Sequence, residues 1–231
     1  MTNVKMEKEV RIVIATFKNR ITEEEIPYFR GCMIKESCNN PLFHNHKEEN
    51  YNYTYPLIQY KSYGNNTLIV GIDKGGEAIE NLLKDKVSIP CTLGKRCTQL
   101  ELIGVRSQKV VIGEQLHPII YTIQGWLPLN SENYRIYLKT ESLVERIQML
   151  ERILTGNILS FAKGVGVYFD SPVQCAILQI DEERPFIYKD IALKSFNVQF
   201  KTNMKLPDYI GLGKSISIGR GTIKACEYGK G

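Results

Sequence analysis

The chain has 231 residues, 43% of them hydrophobic and 24% charged, with a formal net charge of +5. That is the composition of an ordinary soluble globular protein with room for two small domains. No apolar run approaches the roughly 20 residues that span a bilayer, and Met1–Glu9 is polar and lacks a signal core, so a cytoplasmic protein without a membrane partner is expected.

Val10 to Phe17 is rich in β-branched residues and reads as a strand. Thr22 and Glu25 have the spacing of a capping box, and a helix follows through Tyr28, Phe29, Met33 and Ile34 until Asn39, Asn40 and Pro41 end it. Leu42 to Tyr55 is polar and irregular. Tyr55–Lys61 and Thr67–Ile72 alternate as two strands around a Gly-Asn-Asn turn, and Gly75–Lys84 has helical spacing. A β-prone run from Cys97 to Ile112 completes the order βαββαβ, which is that of a ferredoxin-like domain.

A second unit starts near Pro118. Ile119–Leu129 is a strand carrying the single tryptophan, Trp126, and Ser142–Phe161 is the longest amphipathic helix. Val173–Ile180 and Phe186–Phe200 are strands, with Asp181, Glu182 and Glu183 between them as a solvated hairpin tip. Thr222–Glu227 closes as a last strand. A glycine-rich segment stands where the second helix would be. The expected fold is α+β, two tandem ferredoxin-like domains over residues 1–116 and 117–231, with a glycine-rich loop replacing a helix in the second.

That segment, Gly211 to Gly221, holds four glycines with Lys214 and Arg220 between them. Glycine lets backbone amides approach an anion and adopt positive φ, and successive amides can form a phosphate cradle. The alternative is a tight turn whose glycines serve geometry alone. No Walker loop or dinucleotide fingerprint is present. Residues 191–231 carry seven Lys and Arg against two acids, leaving 23 of each sign before them. The basic excess therefore lies beside the glycines, as in a nucleic-acid binder. The six cysteines form no Cys-x-x-Cys pair and the three histidines are too few for a standard zinc site, so reduced cysteines, no metal and no cofactor are expected.

Leu206 to Ile223 resembles the C-terminal glycine-rich motif of the CRISPR repeat-processing endoribonucleases, members of the repeat-associated RNA-binding superfamily. Three further stretches agree: Ile26-Pro-Tyr-Phe-Arg-Gly31, Leu42-Phe-His-Asn-His46 followed by Tyr55–Lys61, and Ile153–Ser160. Arg220 departs from the aromatic residue frequent in that family. The resemblance implies an antiviral-defence enzyme that cuts precursor repeat RNA once per repeat, without metal, and leaves guide RNAs. It also leaves room for a bound product, other effector-complex subunits and a homodimer as partners.

Metal-free RNA cleavage uses the substrate 2′-hydroxyl as nucleophile and gives a 2′,3′-cyclic phosphate and a 5′-hydroxyl. It requires a base, an acid and a cation. Histidine serves both proton roles, and His44 and His46 are one residue apart in the irregular loop, where an extended backbone aims both to one side. The resemblance leans toward His46. Lys35, ahead of Lys61, is the candidate cation, and Arg30 either positions RNA or braces its helix. Tyr53, among Tyr51, Tyr53 and Tyr55, is the candidate base-stacking ring. Gly211, Gly213, Lys214, Ser215, Gly219, Arg220 and Gly221 are the candidate RNA-binding residues of the glycine segment. His117 reads as structural, and a cysteine–histidine nucleophile at Cys38 lacks an acidic orienter. The competing function is a non-catalytic RNA-binding subunit of the same ribonucleoprotein.

Overall fold

The computed structural model describes residues 8–44, 55–188 and 191–226. Their contacts divide the chain into two compact units. Among the described residues, the N-terminal unit comprises those from Glu9 to Val110 with Ser217–Gly219, and the C-terminal unit comprises Val111–Ile216 and those from Arg220 onward, with Lys8.

The N-terminal unit runs β1 (Lys8–Phe17), a 3-10 turn at Glu23–Glu25, α1 (Ile26–Glu36), α2 (Pro41–His44), β2 (Ile58–Tyr63), β3 (Asn66–Ile72), α3 (Lys74–Leu83), β4 (Ser88–Leu93) and the first half of β5 (Arg96–Trp126). The capping box forms, with the Thr22 amide donating to the Glu25 carboxylate at 2.9 Å. Pro27 sits in the first turn of α1, where no helical partner is lost. Ile26, Phe29 and Met33 form the buried face of α1. Phe29 meets Phe17 and Tyr60 edge-on, at centroid distances of 5.7 and 5.5 Å. The strand order is β2-β3-β1-β5, the ferredoxin-like arrangement.

Two features depart from expectation. β4 is an added strand, paired antiparallel with β5 from Ser88 opposite Glu101 to Leu93 opposite Arg96. Its central Pro90 hides it, because proline is excluded from paired strand interiors. It nevertheless buries Ile89, Cys91 and Leu93 in alternation. This strand carries Cys91 to Cys32 of α1, and the two form a disulfide. Cys38, Cys97, Cys175 and Cys226 are free, so the expectation of six reduced cysteines is corrected.

The C-terminal unit continues with the second half of β5, α4 (Ser131–Lys139), α5 (Leu143–Gly164), β6 (Cys175–Tyr188), β7 (Ile191–Lys205) and β8 (Thr222–Ala225). Its order is β8-β5-β7-β6, which repeats the path of the first unit. The Ser142 hydroxyl caps α5 by accepting from the Glu145 amide at 3.3 Å, and Leu150, Leu154, Ile158 and Phe161 form its buried stripe. α4 is an addition to the expected elements. The acidic cluster is not a hairpin tip: Asp181–Glu183 lies inside β6, which pairs with β7 as far as Tyr188 opposite Ile191. Lys194 on β7 pairs with Glu183 across the strands, the kind of opposite-charge pair that stabilises a ladder. Between β7 and β8 the chain forms the glycine-rich segment in place of a helix.

Candidate functional site

The histidine loop starts from a fixed point. After α1 the chain turns through Cys38 and Asn39 at φ of 51° and 59°, and Pro41–His44 makes a single helical turn. Terminal carbonyls of a helix lack intrahelical partners, and here two side chains supply them. Arg30 Nη2 donates to the His44 carbonyl, and the Tyr60 hydroxyl donates to the Phe43 carbonyl at 3.3 Å. Burial pushes the Tyr60 phenol above its ordinary pKa, so it remains a donor. Arg30 thus braces α2, and its Nε is buried with no partner among the described residues. Tyr60 was not legible as part of the site, although it lies in the Tyr55–Lys61 stretch that carries the family resemblance. His44 is half-buried. His46 and Tyr53 lie outside the described residues.

The two candidate lysines differ in setting. Lys35 is exposed near the end of α1 and shares a face with Tyr28, Gly31 and Cys32, all lining one cleft. Arg30 stands about 140° around the helix from Lys35, so the structure brings Arg30, rather than Lys35, to His44. Lys61 on β2 is fully buried, and desolvation pulls its pKa down to about 7.

The glycine-rich segment is a tight turn around a 3-10 element at Ile216–Ile218. The Leu212 amide donates to Gly221 O at 2.8 Å, Lys214 to Leu127 O at 3.3 Å, Arg220 to Ser215 O at 3.3 Å and Gly221 to Gly125 O at 3.1 Å. These four amides are therefore engaged within the C-terminal unit. Gly221 has φ of 61°, and a β-carbon on it would stand 1.9 Å from the Leu212 carbonyl oxygen; only glycine fits. Gly219 has φ of 89°, and a β-carbon there would stand 2.8 Å from Ile26 Cδ1 and 3.2 Å from Tyr60 O. Residues 217–219 therefore pack on α1 and β2. Gly211 and Gly213 lie against Ile216 and Trp126, and Ser215 adopts φ of 55°. Lys214 Nζ reaches the Leu129 carbonyl at 3.2 Å, and partial burial lowers its pKa. Arg220 is half-buried with its guanidinium beside Gly125. His117 is exposed at the irregularity of β5.

Among the described residues no helix is long and apolar enough to cross a membrane, and no three His, Cys, Asp or Glu side chains are grouped to hold a metal ion.

Residues 8–111 match the Cas6b N-terminal domain, and residues 113–226 match the Cas6b C-terminal domain. Uncharacterized protein MJ0978 of Methanocaldococcus jannaschii is 30% identical over 107 residues, 46% of this chain and 70% of its own length. A crystal structure of Cas6b superimposes with a TM-score of 0.80 at 23% identity, covering 95% of this chain and 100% of that one. The crystal structure of the CRISPR RNA processing endoribonuclease Cas6b gives a TM-score of 0.70 at 24% identity, with the same coverage. At these identities the superpositions speak for the fold.

Proposed function

The chain belongs to the Cas6b family, and on that premise we propose that it is a metal-independent endoribonuclease that cuts CRISPR repeat RNA in the precursor transcript. The match to both Cas6b domains, in order and over nearly the whole chain, carries this reading. The 2′-hydroxyl of the nucleotide 5′ to the scissile bond attacks the phosphorus, leaving a 2′,3′-cyclic phosphate and a 5′-hydroxyl. His44 and His46 take the proton from the nucleophile and return one to the leaving oxygen. The bracing of α2 by Arg30 and Tyr60 supports this assignment, since an imidazole acts as acid or base only where its position is held.

Lys35 meets the charge on the phosphate. Its exposure supports this role over Lys61, whose side chain is fully buried. Lys214, Ser215 and Arg220 hold the RNA backbone and Tyr53 stacks on a base, while Gly211, Gly213, Gly219 and Gly221 shape the turn. Repeat RNA, as precursor and as mature guide, is the partner, in the cytoplasm. Association with a second copy or with effector subunits is read from mass in solution with and without RNA.

The test is incubation of the protein with a repeat transcript in EDTA. Cleavage at one position that survives chelation and is lost in His44→Ala and His46→Ala is expected. Binding without any cleavage would make the chain an RNA-holding subunit instead.

A further inference from the structure

A cleft of about 830 Å³ opens between α1 and the β4–β5 hairpin, inside the N-terminal unit and within the size range of small-ligand sites. The mechanism above draws on only one residue of it, Lys35. Its outer wall is the Tyr28 ring, 52% exposed and steadied from behind by the hairpin turn, where a β-carbon on Gly94 would lie 3.8 Å from the ring. Gly31, one turn on, faces open space with no atom within 4 Å of a β-carbon position. A glycine inside a helix is a poorer helix former than alanine, and no packing contact accounts for it here.

The charge balance of the cleft is one-sided. Glu36 is neutralised by Lys86 at 2.7 Å, and Glu25, near the hairpin, by Arg96 at 2.8 Å. Lys35 has no acidic partner among the described residues. The remaining polar groups include Thr92, Thr98 and Gln99, neutral donors and acceptors. The Cys32–Cys91 disulfide ties the two walls together. An exposed π-face, an ammonium with no acid paired to it among the described residues, and neutral hydrogen-bonding groups match an unpaired nucleotide: a base to stack, a phosphate to pair and sugar hydroxyls to bond. An acidic peptide would satisfy Lys35 and leave the tyrosine face unused.

We propose that this cleft is a subsite for one unpaired nucleotide of the RNA substrate, with its base on Tyr28 and its phosphate on Lys35. The subsite rests on the endoribonuclease reading for its substrate class. Gly31 keeps the space for the nucleotide open.

The experiment measures binding of a fluorescein-labelled octauridylate to the full chain by anisotropy, with cleavage of a repeat transcript followed separately. Tyr28→Ala should weaken octauridylate binding about tenfold, and Tyr28→Phe should bind within twofold of the parent. Gly31→Leu, which improves helix propensity while filling the cleft, should keep the melting temperature and lose about tenfold in affinity. Lys35→Ala should lower the slope of log Kd against log salt by about 0.7, one single-strand phosphate contact. An octauridylate carrying 5-iodouracil should cross-link to Tyr28. Unchanged binding by Tyr28→Ala and Gly31→Leu, or cross-links confined to other peptides, would overturn the subsite even if the transcript is cleaved. Weakened binding by both variants in a protein that never cleaves would keep the subsite and remove the endoribonuclease reading.

Discussion

Arg30 and Tyr60 decide where the histidine loop begins, because each donates to a carbonyl that the end of α2 would otherwise leave unmet. Arg30→Met should lower the single-turnover cleavage rate at saturating protein by about tenfold, within the roughly hundredfold that misplacing a catalytic group by about 1 Å can cost. Arg30→Lys should recover part of it, and an unchanged rate for Arg30→Met would remove the bracing role. Lys61 makes a prediction about pH. Burial brings its pKa from 10.5 down to about 7, so between those values the unfolded chain binds a proton that the folded chain does not. The Lys61 contribution to stability therefore rises with pH through that window and is flat below it, an effect on the order of a few kcal/mol. Lys61→Met should show a flatter dependence of unfolding free energy on pH between 7 and 9; an identical slope would contradict the desolvated setting. Residue chemistry together with the family resemblance offered His44, His46, Lys35 and Arg30 but could not separate bracing from binding. Whether Arg30 points at RNA or at a carbonyl depends on α2, a one-turn helix with no periodicity to read.

At the scale of elements, local signals were legible wherever one physical rule acted alone. The Thr22–Glu25 capping box, the helical span of α5 and the strand through Phe196, Val198 and Phe200 all appear as expected. The signals failed where two rules conflicted. Pro90 argues against a strand, yet β4 forms because its alternate residues bury against the unit core. The acids of β6 argue for a turn, yet Lys194 lies across the ladder to balance Glu183. The disulfide was invisible for a related reason: Cys32 and Cys91 are separated by 59 residues and meet only through the unrecognised strand. Closing a loop of that length stabilises the folded chain by about 4 kcal/mol in the chain-entropy account. Thiol titration of the denatured protein without reductant should find four free cysteines, and the melting temperature should fall on reduction. Six titratable thiols would contradict the linkage.

At the scale of the whole molecule, one strand path is used twice, and the second use gives up a helix for a glycine turn. The substitution was legible because Gly211 to Gly221 breaks helical spacing and no other segment is left to fill the crossover. Whether those glycines cradle an anion or serve geometry was not legible. The answer at Gly221 came from the Leu212 carbonyl, a contact set by tertiary packing. The concentration of basic residues in the last 41 positions remains the sequence feature that speaks for a polyanionic substrate. In the proposed reaction the RNA itself supplies the nucleophile, and His44 and His46 only move protons. The direct measurement replaces the 2′-hydroxyl at the nucleotide 5′ to the cleavage position with hydrogen. This deoxy transcript should bind with unchanged affinity and remain uncut. Cleavage of the deoxy transcript at the parent rate would contradict it.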